Sequence, residues 1–123
     1  MNDLKKLLVL DDEPAITDSV ALLAEMFGFD VRTLNRSVDA ASVFADYRPD
    51  VVVLDIRMPG KDGIAVLKEI LQTRIPTRII LTSGGDDAGG RLAAEVAPSF
   101  DTSSVMVLMK PYDVNDLIAA LSA

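Results

Sequence analysis

Five short apolar segments recur along the chain, with enough residues between them for one helix each. They start at residues 6, 30, 51, 78 and 105, so that 21 to 27 residues separate successive starts. Several are continuous runs of Val, Ile and Leu, a pattern typical of strands that are covered on both faces. The sequence therefore predicts a parallel sheet of five strands joined by helices: Lys6–Leu10, Asp30–Leu34, Val51–Leu54, Arg78–Leu81 and Val105–Leu108.

The first and last helices have clear boundary signals. Pro14 suits the first turn of a helix, and Gly28 suits the position just beyond a helix C-terminus. The last helix is expected to begin at Asp113. In both segments apolar residues recur at helical spacing, which predicts one buried face on each helix: Ile16, Val20, Leu23 and Phe27 in the first, and Val114, Leu117, Ile118 and Leu121 in the last.

The three middle helices are predicted from similar but weaker signals. Ser37 is expected to cap the second helix, and Pro49 and Pro76 lie where the second and third helices must have ended. The fourth helix has the weakest apolar pattern of the set. The three predicted ranges are Ser37–Tyr47, about Gly63–Thr73, and roughly Asp87–Ala97.

Polar residues follow four of the five predicted strands. In an open α/β sheet, ligands bind at the carboxyl edge of the strands, near the point where the strand order reverses. The second strand has no comparable residue, as expected if it lies at the outer edge of the sheet. The candidate residues are Asp11 and Asp12 after the first strand, Asp55 after the third, Thr82 and Ser83 after the fourth, and Lys110 after the fifth.

If the first and third strands are neighbours, Asp11, Asp12 and Asp55 converge. Two carboxylates about 5 Å apart repel each other by about 3 kcal/mol at an effective dielectric constant near 20, so the trio requires a cation or a shared proton. Lys110 supplies one positive charge, and the remaining charge of −2 matches a divalent ion. Oxygen ligands without His or Cys favour Mg²⁺. Any single Asp of this set is more often an ordinary solvated loop residue than a ligand, so the prediction depends on the whole set.

Composition narrows the function further. The 123 residues include 12 Lys or Arg, 19 Asp or Glu, no His and no Cys, for a formal net charge of −7. The lack of His and Cys excludes disulfides, thiolate and imidazole catalysis, and nearly all zinc or copper sites. The negative charge argues against direct binding to nucleic acid or membrane. We expect residues 1–123 to form a single cytoplasmic domain, because no signal peptide or membrane-length apolar run is visible.

Four short motifs in this order resemble the receiver domains of two-component response regulators, and the resemblance covers nearly the whole chain. Each motif is weak alone, but all four lie at the expected strand ends. They are Leu10-Asp11-Asp12-Glu13-Pro14, Leu54-Asp55-Ile56-Arg57-Met58-Pro59-Gly60 with Asp62-Gly63 behind it, Leu81-Thr82-Ser83, and Lys110-Pro111. The resemblance implies an α/β fold of the flavodoxin-like (βα)5 type, a doubly wound parallel sheet with strand order 2-1-3-4-5.

The same resemblance implies a role for each residue. Asp55 would be the phosphoacceptor, receiving a phosphoryl group from a phosphohistidine on a sensor histidine kinase or a histidine phosphotransfer protein in a phosphorelay. Asp12, Asp55 and the backbone carbonyl of Arg57 would ligate Mg²⁺, with Asp11 acting mainly through water. Thr82 and Lys110 would contact the phosphoryl oxygens after transfer. The chain would be a regulator with at most slow autophosphatase activity, and its lack of His excludes a histidine-kinase role.

Three features depart from the family pattern. Val107 occupies the position, three residues before Lys110, where family members often have an aromatic switch residue. The segment between Thr82 and Lys110 is slightly longer than in compact members. Arg57 lies two residues after Asp55, and Ser83 and Gly84 follow Thr82 directly. All three are candidate modulators of the site.

Two alternatives remain open at this point. A degenerate receiver would bind a partner without phosphorylation. The absence of the usual aromatic residue at Val107 is consistent with that interpretation. A phosphatase of the haloacid dehalogenase type would have a second Asp two residues after its nucleophile, but Arg57 follows Asp55 and Glu13 follows Asp11 at that spacing. The output is expected to be a downstream protein target or an output domain missing from this chain. The cognate kinase and homodimerisation are left open.

Overall fold

The computed structural model describes residues 4–85 and 88–123. Five parallel strands form one sheet in the order β2-β1-β3-β4-β5, which confirms the predicted fold class and strand order. Neighbouring strands start and end nearly level, so their carboxyl ends share one edge of the sheet. The strands are β1 (Lys6–Leu10), β2 (Asp30–Leu34), β3 (Val51–Asp55), β4 (Arg78–Ser83) and β5 (Val105–Met109).

Helices follow each of these strands. They are α1 (Pro14–Met26), α2 (Ala40–Tyr47), α3 (Gly63–Gln72), a short α4 (Ala88–Arg91) and α5 (Val114–Ser122). A 3₁₀ turn at Ser37–Asp39 precedes α2, and α4 continues as a π-helical segment at Leu92–Val96. Within residues 4–85 and 88–123, none of these helices has the length and apolar character needed to cross a bilayer.

Two apolar clusters cover the two faces of the sheet. On one face α1 and α5 pack through Val20, Ala24, Leu117 and Leu121 against alternate strand residues such as Val9 and Val53. On the other face α2, α3 and the α4 region pack through residues that include Phe44, Leu67 and Val96. Because strands β1, β3 and β4 are covered on both faces, they require the continuous apolar runs seen in the sequence.

Several helix boundaries match the sequence signals. Gly28 has a φ of +89°, and the N–H groups of Gly28 and Phe29 donate to the carbonyls of Glu25 and Ala24 and so complete the end of α1. Asp62 caps α3 by accepting from the Ala65 N–H. Asp113 caps α5 through reciprocal bonds with Asp116. These contacts satisfy donors and acceptors that a helix end otherwise leaves unpaired.

Other details of the structure differ from the prediction, and one lies outside the described residues. Ser37 lies inside the 3₁₀ turn and makes no cap bond. Val114 and Phe27 are each 56% exposed, so they lie outside the buried faces of α5 and α1. Asp55, Thr82 and Ser83 are the last residues of their strands and not the first of the following loops. The fourth helix changes from α to π geometry at Leu92, and its predicted start at Asp87 lies outside the described residues.

Candidate functional site

Three carboxylates meet at the carboxyl edge of β1 and β3. Leu10 pairs in register with Leu54, so the next residues along the two strands, Asp11 and Asp55, lie side by side. Asp11, Asp12 and Asp55 each offer one carboxylate oxygen, and these three oxygens lie within 4.8 Å of one another. Asp11 and Asp55 are buried, at 3% and 5% exposure, whereas Asp12 faces solvent. The predicted convergence of the three carboxylates is therefore confirmed.

Lys110 reaches into this cluster from the loop after β5. Its Nζ lies 3.0 Å from Asp11 Oδ2 and 3.4 Å from Asp55 Oδ1. The backbone N–H of Lys110 donates to the Ser83 carbonyl at 2.7 Å, which extends the pairing of β4 and β5 by one residue. The Lys110–Pro111 peptide bond is cis. This loop thus places one ammonium between two buried carboxylates.

The carboxylates have different surroundings. Both oxygens of Asp11 accept hydrogen bonds, one from the Glu13 N–H at 3.0 Å and one from Lys110. Burial raises the pKa of the Asp55 carboxyl. The positive charge of Lys110 opposes this effect, whereas the negative charge of Asp11 adds to it. The pKa of Asp55 is raised overall. Burial disfavours the charged form of Lys110, but its bonds and proximity to Asp11 and Asp55 outweigh burial and raise the pKa of its ammonium.

The remaining predicted residues surround Asp55. Thr82 pairs with Asp55 across β3 and β4; it is 1% exposed, and its hydroxyl donates to the Leu54 carbonyl at the long distance of 3.5 Å. Ser83 is fully buried, while Gly84 is exposed and lies beside the Lys110 side chain. The side chain of Arg57 is exposed, and its backbone N–H bonds to the Asp55 carboxylate.

Sequence reasoning missed two residues in the loop after β2. The side-chain amide of Asn35 donates to the Asp11 carbonyl at 2.8 Å and to the Thr17 hydroxyl at 3.0 Å. The Ser37 hydroxyl donates to the Pro59 carbonyl at 3.3 Å and accepts from the Lys61 N–H at 3.2 Å. The sequence showed no residue after the second strand comparable to the other candidates, yet these two polar residues contact the loops at this edge. A short polar residue just after an edge strand was the available signal.

An ion-pair network also connects α4 to the loop after β3. Arg91 lies 3.1 Å from Asp62 and 2.6 Å from Glu95. Asp62 caps α3, so Arg91 links the α4 region to the helix that follows the Asp55 loop. A cavity of about 460 Å³ lies here, between Asp12, Arg57, Pro59 and Arg91.

A second, apolar groove of about 530 Å³ lies between α1 and α5. Its walls include Ile16, Leu23 and Leu117, and its rim includes Gly84 and Lys110. Tyr112 lines the same groove and packs against the cluster of α1 and α5.

The carboxylate trio fits a hard divalent cation. Lys110 provides one positive charge against three carboxylates, and the oxygens are close enough to share one ion. The donor set consists of oxygen alone, which is the type of ligand that Mg²⁺ accepts. Among the residues that the structure describes, no hydrogen-bond donor contacts the Asp12 carboxylate, so its oxygens are open to such an ion.

Comparison with known proteins places these features in a family. Residues 7–122 match the family model of the response regulator receiver domain. The regulatory protein AtoC of Escherichia coli (strain K12) is 32% identical over 117 residues, which cover 95% of this chain and 24% of that protein. The response regulator MprA of Mycobacterium sp. (strain KMS) is 30% identical over 118 residues, which cover 96% of this chain and 49% of that protein. The chain thus spans less than half the length of these two relatives.

Solved structures agree with this match. A response regulator receiver domain protein from Clostridium thermocellum is similar with a TM-score of 0.82 and 29% identity, over 97% of this chain and 92% of that one. A CheY-like receiver domain protein from Methanospirillum hungatei JF-1 has a TM-score of 0.84 at 22% identity, over 98% and 92% of the two chains, and supports the fold alone. Because the family match extends over nearly all of the sheet and its acidic edge, the chain belongs to the response regulator receiver domain family of two-component systems.

Proposed function

We propose that this receiver domain is a Mg²⁺-dependent phosphoacceptor switch in which Asp55 receives a phosphoryl group from a phosphohistidine of a partner protein. The observation that carries this proposal is the arrangement at the sheet edge. A buried carboxylate, Asp55, lies within 4.8 Å of two further carboxylates and 3.4 Å from an ammonium. This set combines a nucleophile, Asp55, with an ammonium that neutralises phosphoryl charge and with carboxylates that would hold a divalent cation.

The transfer is a displacement at phosphorus. A carboxylate oxygen of Asp55 forms the new O–P bond while the N–P bond of the phosphohistidine breaks, and the imidazole nitrogen leaves with the electron pair of that bond. The products are an aspartyl phosphate and the partner's histidine. Because the pKa of Lys110 is raised, its ammonium stays charged at neutral pH and stabilises the negative charge on the phosphoryl oxygens.

Asp12, Asp55 and the backbone carbonyl of Arg57 would hold the Mg²⁺. When bound, this ion supplies positive charge to the phosphoryl oxygens and helps to align the reacting groups. Asp11 has both oxygens occupied by Glu13 and Lys110, which supports a role through water rather than direct ligation. The exposed Asp12 supports direct ligation.

Thr82 and Lys110 would hold the phosphoryl group after transfer. The bond from the Thr82 hydroxyl to Leu54 is long, at 3.5 Å, so exchanging it for a phosphoryl oxygen costs little. The movement of the Thr82 side chain would change the surface formed by α4, β5 and α5, where Met106 and Met109 are exposed. Arg57, Ser83 and Gly84 would modulate the lifetime of the aspartyl phosphate, and the half-buried Val107 would replace the usual aromatic residue.

The phosphodonor would be a sensor histidine kinase or a histidine phosphotransfer protein. It would dock along the apolar groove between α1 and α5, because the rim of that groove contains Lys110 and Gly84 beside the acidic site. The phosphorylated surface would act on a downstream protein or on an output domain in a longer protein. Homodimerisation is a further route for this output.

Intact-mass measurement with acetyl phosphate tests the proposal. The wild type should gain one phosphoryl group only when Mg²⁺ is present. Asp55→Asn should gain none, while Asp18→Asn, a matched change at an exposed residue of α1, should label like the wild type. If the wild type stays unlabelled by both acetyl phosphate and a phosphohistidine protein, under conditions that label a known receiver fully, the chain is a phosphorylation-independent docking module.

A further inference from the structure

The loop between β2 and α2 contacts the backbone of the loop after β1, which carries Asp11 and Asp12. Asn35 is the first residue after β2. One N–H of its side-chain amide donates to the Asp11 carbonyl at 2.8 Å, and the other donates to the Thr17 hydroxyl at 3.0 Å. The Thr17 hydroxyl in turn donates to the Pro14 carbonyl at 3.1 Å. Both hydrogens of the Asn35 amide therefore bond to the chain segment from Asp11 to Thr17, which includes the acidic residues Asp11 and Asp12.

These contacts hold both ends of the short segment from Asp11 to Pro14, which joins β1 to α1. The Asp11 carbonyl belongs to the peptide group that links Asp11 to Asp12, so a bond to this oxygen sets the orientation of that peptide plane. The Pro14 carbonyl, reached through Thr17, lies at the start of α1. The backbone of Asp12 lies between these two anchored points.

Asp12 depends on this support more than its neighbours do. The side chain of Asp11 is held by Glu13 and Lys110, and Asp55 is held within β3 with Lys110 and the Arg57 N–H beside it. Among the residues that the structure describes, the Asp12 carboxylate has no hydrogen-bond donor. Its position therefore follows from the backbone on either side.

We infer that Asn35 is a positioning residue that acts through Thr17 and the Asp11–Asp12 peptide to hold the Asp12 carboxylate in place for a divalent cation. This inference rests on the proposed function, because it assigns Asp12 to the metal. Groups that orient metal ligands through hydrogen bonds commonly change metal affinity by about 10- to 100-fold when they are removed. A residue that stabilised only the fold would leave the affinity of the folded protein unchanged.

The experiment compares Asn35→Ala with Asn115→Ala, the same change at an exposed residue of α5. Isothermal titration of the full chain with Mg²⁺ gives the dissociation constant, and thermal unfolding without metal gives the stability. Asn35→Ala should raise the Mg²⁺ dissociation constant about tenfold, whereas Asn115→Ala should match the wild type. In labelling by acetyl phosphate, the half-saturating Mg²⁺ concentration should rise by the same factor, and the rate at saturating Mg²⁺ should return to that of the wild type.

A second pair of variants keeps the test sharp if Asn35→Ala folds poorly. Thr17→Val removes the hydroxyl but keeps the shape of the side chain, and it should weaken Mg²⁺ binding. Thr17→Ser keeps the hydroxyl and should restore the affinity. A lower melting temperature with unchanged Mg²⁺ affinity in both Asn35→Ala and Thr17→Val would overturn the inference.

The wild type separates this inference from the proposed function. If the wild type binds Mg²⁺ but accepts no phosphoryl group, the proposed function fails, and the affinities of the variants still decide the role of Asn35. If the wild type binds no Mg²⁺, both proposals are overturned.

Discussion

Among the residues that the structure describes, Lys110 provides the only ammonium in contact with the carboxylate trio. Replacing Lys110 with Met removes this charge and keeps most of the length of the side chain. In the wild type, Lys110 Nζ lies 3.0 Å from Asp11 and 3.4 Å from Asp55. Without it, two buried carboxylates and Asp12 would share one small region. We expect the metal-free variant to be clearly less stable than the wild type at neutral pH.

The size of the effect follows from these distances. At an effective dielectric constant of 20, each of the two ion pairs corresponds to an attraction of about 5 kcal/mol, and each pair of carboxylates to a repulsion of about 3 kcal/mol. The measurable loss is smaller, because the ammonium gives up hydration to enter the site and the carboxylates can take up protons. Breaking a buried pair costs about 3–5 kcal/mol. Since the Lys110 side chain is 25% exposed, we expect about 3 kcal/mol, the low end of that range.

The effect has a defined pH dependence. The charge of Lys110 lowers the pKa of Asp55, which burial raises, so removing Lys110 raises that pKa further. A carboxyl with a raised pKa in the folded state gives stability at low pH that is lost as the pH rises through this value. The deficit of Lys110→Met should therefore be largest at neutral pH and should shrink as the pH falls toward the pKa of free carboxyls.

Urea unfolding in the presence of EDTA, over a series of pH values, measures this deficit. Lys110→Arg keeps the positive charge and should lose less stability, and Lys5→Met changes an exposed lysine and should lose almost none. Mg²⁺ should stabilise Lys110→Met more than the wild type, because the cation replaces the missing charge. A variant as stable as the wild type at neutral pH, or a deficit that does not change with pH, would refute this reasoning.

Two further predictions concern the framework around the site. A Cβ on Gly63 would overlap the backbone of Asp55 and lie 2.6 Å from the Ile56 Cα, so Gly63→Ala should lower the free energy of unfolding in urea by about 3 kcal/mol. A Cβ on Gly89 in α4 meets nothing within 4 Å, so Gly89→Ala should instead raise this free energy by roughly 0.5–1 kcal/mol. Equal effects of the two substitutions would contradict the packing argument. Arg91→Met should leave global stability nearly unchanged, because Arg91 and its two partners are all partly exposed to solvent. It should nevertheless speed amide hydrogen exchange across Ala88–Val96 relative to the exposed control Arg36→Met. Unchanged exchange in that segment would show that Arg91 does not hold α4.

The strands and the acidic cluster were predictable because their signals are local. A strand buried on both faces must be apolar throughout, and all five predicted strands start at the observed residues. Parallel strands also bring their carboxyl ends to one edge, so polar residues at those ends had to be neighbours in space. This is why Asp11, Asp12, Asp55 and Lys110 could be grouped without coordinates.

The helix faces show where local patterns fail. Helical spacing places Val114 on the same side as Leu117, yet Val114 is 56% exposed and Leu117 is 3% exposed. Periodicity defines which residues share a face, but the neighbouring elements decide how far along the helix that face is covered. The change to π geometry at Leu92 is likewise absent from the apolar pattern.

The sequence by itself determined the five strands, their order through the family resemblance, and the carboxylates and lysine at one edge, because burial and chain direction constrain each of these locally. Only the tertiary structure decided that Asn35 and Ser37 reach the loops after β1 and β3. These contacts join residues that are 22 to 24 positions apart, and no periodicity records them. They depend on the lateral packing of β2 against β1, which places one short polar side chain within 3 Å of a specific carbonyl.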